Sequence, residues 1–148
     1  MEIQPVITHH NEFTVIGYSI IIKNEEGPKK CPEFWNEWMS DMKGLKGMFG
    51  VCTDMDGKYF DYWIADMYFP WEEIPEGCET RVIPASLWAQ FPCTLKTLQD
   101  TNTKIWSEWL PSLQGYELVD EYDIEVYLAP EPGSNEVRTF IWVPLKKA

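Results

Sequence analysis

The hydrophobic positions of the chain fall into six runs typical of β-strands and two runs with helical spacing. The strand-like runs are rich in Val, Ile, Tyr, Phe and Trp and are bounded by turn-forming residues. They cover residues 13–22, 47–53, 58–65, 78–91, 122–128 and 136–144. Apolar residues at helical spacing follow the first and the fourth run, so helices are predicted over residues 31–44 and 94–111.

Capping and turn residues set the ends of these elements. Pro32 suits the first position of the first helix, and Gly44 suits its C-terminal cap. Thr94 is the predicted N-cap of the second helix, which ends at Pro111. Asp-Gly between two strand-like runs predicts a hairpin turn at Asp54–Gly57. The alternative, a calcium loop, would need further acidic ligands that are missing here.

Two residues interrupt strand-like runs. Gly17 indicates a bend or a close approach of another backbone, because it has no side chain to fill the space. Pro84 lacks a backbone N–H, so its strand is expected at a sheet edge or at a bulge. The last two runs are expected to form a hairpin across residues 130–135.

The order strand, helix, strand, strand occurs twice, in halves of about residues 1–70 and 78–148 with a Pro- and acid-rich connector between them. This order predicts an α+β fold with an antiparallel sheet, two helices on one face and a central ligand groove where the halves meet. At 148 residues the chain is expected to form a single domain, 1–148.

Charge and composition narrow the function. Twelve Lys and Arg against 24 Asp and Glu give a net charge of -12, which disfavours direct nucleic acid binding and anionic membranes and favours cationic ligands. The chain shows neither a signal peptide nor a membrane span, so we expect a cytoplasmic protein. The cysteines form no CxxC pair and the only histidines are the neighbours His9 and His10, so neither zinc, a disulfide framework nor another cofactor is expected. Both histidines are expected to be exposed, pointing in opposite directions.

Glu125 is the principal candidate for a functional residue, because it lies inside the most strand-like run. Period 2 places it on one face with Tyr127 and Asp123, and the even-numbered residues form an apolar face. A buried carboxylate needs a cation or hydrogen-bond donors. Two alternatives are open: Glu125 binds a ligand cation, or it is a structural residue paired with Arg138 or exposed on a wet face.

Aromatic residues are the second signal. Eight Trp, seven Tyr and seven Phe exceed the needs of a core of this size, and aromatic faces attract cations. Most of them, including Trp35, Trp38, Trp106 and Trp109 on the helical stripes, are expected to pack the core. The predicted ligand-binding residues are Glu125, Tyr127, Trp142, Trp88, Tyr18 and Asn102. For Asn102, which interrupts an apolar helix stripe, a ligand contact and a surface position are equally open.

Five motifs in a fixed order resemble one known family. They are Ala85–Phe91, Trp106–Pro111, Gly115–Glu117, Ile124–Tyr127 and Ile141–Pro144. Together they resemble the gyrase-inhibitor-like (GyrI-like) effector-binding domains over essentially the whole chain. The resemblance implies a duplicated fold that binds small, often cationic aromatic molecules, with the pocket glutamate falling on Glu125. It also implies a stand-alone member, because no helix-turn-helix precedes Phe13.

Three functions follow. The first is a binding protein for lipophilic, cationic aromatic compounds. The second, which stand-alone relatives in the family imply, is a hydrolase of reactive cyclopropane-type natural products, with Glu125 as base and Tyr127 or Tyr18 as acid or orienting group. The third is an inhibitor that binds a macromolecular partner such as gyrase. A homodimer is compatible with all three, because the apolar face of residues 122–128 needs a cover.

Overall fold

The computed structural model describes residues 4–41, 48–119 and 122–148. The fold is α+β, as predicted, with antiparallel strand pairing. The strands are β1 (Val6–His10), β2 (Phe13–Lys23), β3 (Phe49–Asp54), β4 (Tyr59–Met67), β5 (Glu79–Ile83), β6 (Ser86–Cys93), β7 (Tyr116–Leu118), β8 (Tyr122–Leu128) and β9 (Arg138–Lys147). The helices are α1 (Gly27–Asp41), α2 (Leu98–Lys104) and α3 (Leu110–Ser112), and a π-helical turn, Ile105–Trp109, connects the last two. Within the described residues, every helix is too short or too polar to cross a membrane.

The chain forms two compact units. Residues Glu12–Pro84 make up one, here called the continuous unit, and Met1–Asn11 together with Ala85–Ala148 make up the other, here called the split unit. Each contains its own set of antiparallel strands and its own helical segment.

In the continuous unit the strand order is β3-β4-β2-β5. Helix α1 covers one face of this sheet, where Ile22, Tyr62 and Ile64 form the buried core together with α1 side chains. Trp35 of α1 packs there as predicted, and its indole N–H donates a 2.8 Å hydrogen bond to the Tyr62 hydroxyl. Apolar packing and this hydrogen bond both hold the helix against the sheet.

Gly17 confirms the expected close approach of two backbones. A Cβ atom at this position would lie 2.0 Å from the Ile64 carbonyl oxygen and 2.7 Å from the Ala65 Cα, both on the neighbouring strand β4. Only glycine fits without moving the backbone. The predicted Asp54–Gly57 turn also forms, with Gly57 at a φ of 82° and its N–H bonded to the Asp54 carboxylate.

In the split unit the strand order is β1-β6-β9-β8, and β7 also pairs with β9. The segment α2 to α3 covers one face, here called the helix face. Ala89, Phe91, Ile141 and Val143 are buried on this face against Ile105 of the π-helical turn. The β8–β9 hairpin forms as predicted, and its register pairs Leu128 with Arg138.

Three boundary predictions were wrong. The run 78–91 is two strands: β5 pairs with β2 in one unit and β6 with β1 and β9 in the other, because Pro84 has no N–H to continue a ladder. Helix α1 begins at Gly27 and contains Pro32, because Pro28 provides the first-turn signal earlier. Helix α2 begins at Leu98, because the Thr94 hydroxyl accepts from the Thr97 N–H and closes a separate turn.

Further differences concern two short strands, and two predictions fall outside the described residues. The sequence did not predict β1 or β7, because strands of five and three residues are too short to show a clear alternation. The expected cap at Gly44 and the side chain of Trp38 lie outside the described residues.

Candidate functional site

Strand β8 places three polar side chains on the helix face of the split unit. Glu125 lies opposite Ile141, and Ile141 belongs to the core that the π-helical turn covers. Residues directly opposite in an antiparallel pair share a face. Asp123, Glu125 and Tyr127 therefore lie on the covered side of the sheet, where polar groups need hydrogen-bonding partners.

Asp123 is the most buried carboxylate of the described residues, at 3% exposure. Its Oδ2 accepts a 3.0 Å hydrogen bond from the Trp106 indole and a 3.3 Å bond from the Asn102 amide. Its Oδ1 is buried and has no hydrogen-bond partner within the described part of the chain. The sequence alternative of a wet sheet face at Asp123 is therefore wrong.

The helix positions both donors by its spacing. Asn102 and Trp106 lie four residues apart, one on α2 and one on the π-helical turn, so both reach the same carboxylate. Asn102 interrupts the apolar stripe of the helix because its amide donates to a buried carboxylate.

The pKa of Asp123 reflects this environment. Burial, and to a smaller extent the negative charge of Glu125, raise the pKa of the carboxyl, which is about 7 instead of the ordinary 3.8. The hydrogen bonds from Trp106 and Asn102 act in the opposite direction, but both donors are neutral. Near neutral pH, Asp123 exists as a mixture of the protonated and ionised forms.

Glu125 is half-buried, and its Oε1 accepts a 2.9 Å hydrogen bond from the Tyr127 hydroxyl. The prediction that Tyr127 lies beside Glu125 is confirmed. Arg138, the predicted structural alternative, donates to the Ala129 carbonyl and lies 4.0 Å from Glu131.

Cys93 of β6 lies close enough to Glu125 to sense its charge. Burial raises the pKa of this thiol from 9.0 to about 11, and the carboxylate of Glu125 adds to the increase. Tyr127, Thr139 and Cys93 form a row across β8, β9 and β6 on the helix face. Thr139 lies opposite Tyr127 on one side and opposite Cys93 on the other. The negative potential of the carboxylates thus extends to β6.

Trp142 and Trp88 lie on the opposite face of the same sheet. Trp142 lies on β9, the strand next to β8, but it pairs with Ile124, so its side chain is on the face opposite Glu125. Its ring stacks on His10 at 4.7 Å, and Trp88 lies 5.9 Å from it. Trp88 is fully buried, and its indole nitrogen has no partner among the described residues.

The adjacent histidines also differ from expectation. His9 is exposed, but His10 is half-buried and accepts a 2.8 Å hydrogen bond from the Gln90 amide. Tyr18 belongs to the continuous unit, where its hydroxyl donates a 3.2 Å hydrogen bond to the Glu76 carbonyl. Of the six predicted ligand-binding residues, the structure thus brings together Glu125 and Tyr127, and it links Asn102 to them through Asp123.

A cavity of about 300 Å³ opens at the end of β6 and the start of β9. It shares Cys93 and Thr139 with the row described above. The remaining lining residues are Pro92, Thr94, Glu131, Ser134, Glu136, Val137, Arg138 and Phe140. Its volume is at the lower end of the range of small-molecule sites.

The sequence profile of a family described as integron-associated effector binding protein matches residues 6–145. The comparison with curated protein sequences gives no match. Among solved structures, SAV2435 bound to tetraphenylphosphonium is similar with a TM-score of 0.78 and 18% identity, covering 99% of this chain and 94% of that chain. An integron cassette protein of Vibrio cholerae, VCH_CASS2, is similar with a TM-score of 0.71 and 15% identity, covering 97% of each chain.

A third similar structure is EcmrR in a complex with DNA. Its TM-score is 0.58 at 18% identity, and the similarity covers 99% of this chain and 58% of that chain. At these identities the similar structures show the fold alone.

Proposed function

We propose, from the premise that the chain belongs to the integron-associated effector binding proteins, a GyrI-like family, that it binds lipophilic organic cations at the Glu125 site of β8. The observation that carries this proposal is the pair of carboxylates, Asp123 and Glu125, on the covered face of one strand. Like charges held together at low exposure destabilise each other, and a bound cation relieves this repulsion.

The hydrogen-bond donors that contact the two carboxylates carry no charge themselves. Trp106 and Asn102 donate to Asp123, and Tyr127 donates to Glu125, so all three donors are neutral at pH 7. Neutral donors stabilise a carboxylate without cancelling its field. Burial is the main cause of the raised pKa of Asp123, and the negative charge of Glu125 adds to it.

Aromatic side chains adjoin both carboxylates. The Tyr127 and Trp106 side chains each contact one carboxylate, and aromatic faces attract organic cations by about 0.5 to 2 kcal/mol. The similarity to SAV2435 bound to tetraphenylphosphonium supports the same ligand class, because that ion combines four phenyl rings with a positive charge. Small-molecule binding is in turn consistent with an effector-binding family.

The test is a titration of the protein with tetraphenylphosphonium, followed by tryptophan fluorescence and isothermal titration calorimetry. Glu125→Gln is expected to weaken binding about 10- to 100-fold, because a charge interaction of about 1.4 to 2.8 kcal/mol is lost. Glu117→Gln is the matched control, since it removes the same charge from an exposed pair with Lys146 in the same unit.

Tetraphenylborate, of similar size and opposite charge, is the ligand control. It is expected to bind far more weakly than the phosphonium ion, because the site is acidic. Equal affinity of the unmodified protein and Glu125→Gln for the phosphonium ion contradicts the proposal, and so does equal affinity for the two tetraphenyl ions.

The hydrolase alternative has one observation in its favour, which is the Tyr127–Glu125 hydrogen bond of 2.9 Å. Such a bond can orient a carboxylate that activates water. Mass spectrometry of a cyclopropane electrophile incubated with the protein distinguishes the two functions, since a binding protein returns the compound unchanged.

A further inference from the structure

Asp123 combines near-complete burial with an unequal use of its two oxygens. Oδ2 accepts both hydrogen bonds, and Oδ1 is enclosed with no donor facing it among the described residues. A carboxylate with a bare buried oxygen is unstable, whereas a carboxylic acid with its proton on Oδ1 keeps Oδ2 as the acceptor. The geometry therefore fits a carboxyl group that is partly protonated near neutral pH when no cation is bound.

The surrounding groups determine when this proton leaves. Glu125 and Tyr127 share the face of β8 with Asp123, and the charge of Glu125 also acts on Cys93 of β6. The helix contributes Asn102 and Trp106, which do not titrate. The pKa of Cys93, about 11, lies above the range from pH 5 to pH 9, whereas the pKa of Asp123, about 7, lies inside it.

We propose that Asp123 is a second, proton-bearing carboxylate of the cation site, which releases its proton when a cation binds beside Glu125 and thereby sets the affinity and charge selectivity of the site. The proposal rests on the proposed function and adds a residue and a linkage to it. The positive charge of the ligand stabilises the ionised form of Asp123, so a fraction of a proton leaves for each cation that enters.

The sign of the effect follows from this linkage. At low pH Asp123 is protonated, the site carries less negative charge, and cations bind weakly. As the pH rises through about 7 the carboxyl ionises, and affinity for cations increases until it reaches a plateau. A cation about 7 Å away, the spacing of same-face residues on a strand, gives about a 10- to 50-fold increase at an effective dielectric of about 20.

The experiment uses tetraphenylphosphonium, because this probe has no titratable group. Its dissociation constant is measured from pH 5.5 to pH 8.5 for the unmodified protein and for Asp123→Asn. At pH 7, calorimetry in two buffers of different ionisation enthalpy counts the protons released. We expect about half a proton per cation for the unmodified protein, and close to none for Asp123→Asn with a nearly flat pH profile.

The outcomes separate the two proposals. Binding that is independent of pH and releases no proton overturns the role of Asp123 and leaves cation binding intact. No binding at any pH overturns both. The proton count of the unmodified protein needs no substitution, so the test holds even if Asp123→Asn fails to fold. An unchanged proton count in a folded Asp123→Asn variant assigns the release to another group and contradicts the proposal.

Discussion

The ligand-free protein is expected to lose stability as the pH rises, because it must bury the ionised form of Asp123. The pKa of this carboxyl is about 7 in the folded protein and 3.8 ordinarily, so the folded state holds its proton more tightly than the unfolded state. The resulting stabilisation is complete below about pH 4. It declines as the pH rises and is lost above about pH 7.

The magnitude follows from the pKa values. Between pH 5 and pH 8.5 the pKa of about 7 is crossed, and about two pKa units separate it from the lower pH. At about 1.36 kcal/mol per unit, the expected loss in the free energy of unfolding is about 3 kcal/mol. At 3% exposure, solvent screens little of this effect.

Asp123→Asn isolates this contribution. The amide oxygen can still accept from Trp106, but the amide nitrogen then occupies the position of Oδ1, where it has no partner, at a pH-independent cost of about 1 to 3 kcal/mol. The decisive quantity is therefore the change in stability between the two pH values and not the stability at one pH.

Urea denaturation at pH 5 and pH 8.5, followed by circular dichroism, provides the measurement. The unmodified protein is expected to lose about 3 kcal/mol more than Asp123→Asn over this interval. If both proteins lose the same amount, Asp123 ionises in the folded state as it does in the unfolded state, and the reasoning from burial is refuted.

Two further predictions concern other parts of the structure. Gly17→Ala should lower the melting temperature far more than Gly57→Ala. At position 17 an added Cβ overlaps the Ile64 carbonyl oxygen, whereas at position 57 it meets nothing within 4 Å and only the positive φ costs about 1 kcal/mol. Similar melting temperatures for both variants contradict the close approach of β2 and β4. Cys93 should react with iodoacetamide at pH 8 about 100-fold more slowly than a thiol of ordinary pKa, because its pKa is about 11. Glu125→Gln should accelerate the reaction, because it removes a negative charge near the thiol. Peptide mapping measures the rate, and an unchanged rate in Glu125→Gln excludes the influence of that carboxylate.

Sequence reasoning succeeded where the signal is local. The alternation of β8 places Glu125 and Tyr127 on one face, and they form the hydrogen bond that this parity allows. Gly17 indicated a close approach because glycine is the one amino acid without a side chain. In both cases the relevant information lies within a few neighbouring residues.

It failed where the answer depends on pairing or on packing between distant elements. The face of Trp142 depends on the β8–β9 register, and a shift of one residue moves a side chain to the other side of the sheet. The burial of Asp123 depends on which sheet face the helix covers. The only signal was the four-residue spacing of Asn102 and Trp106, which shows two hydrogen-bond donors on one side of that helix but not their acceptor.

The connection of the two units has a consequence for how the polypeptide can be rearranged. The chain leaves β1 at His10 and resumes in β6 at Ser86, and these two residues are register partners in one antiparallel pair. Topologically, the continuous unit is an insertion into the turn of a β1–β6 hairpin. Joining residue 11 directly to residue 85 would shorten the polypeptide by half and keep every strand pairing of the split unit. The carboxylate cluster lies in the part of the chain that surrounds the insertion in sequence, so the shortened polypeptide would retain Asp123, Glu125 and the donors Asn102 and Trp106.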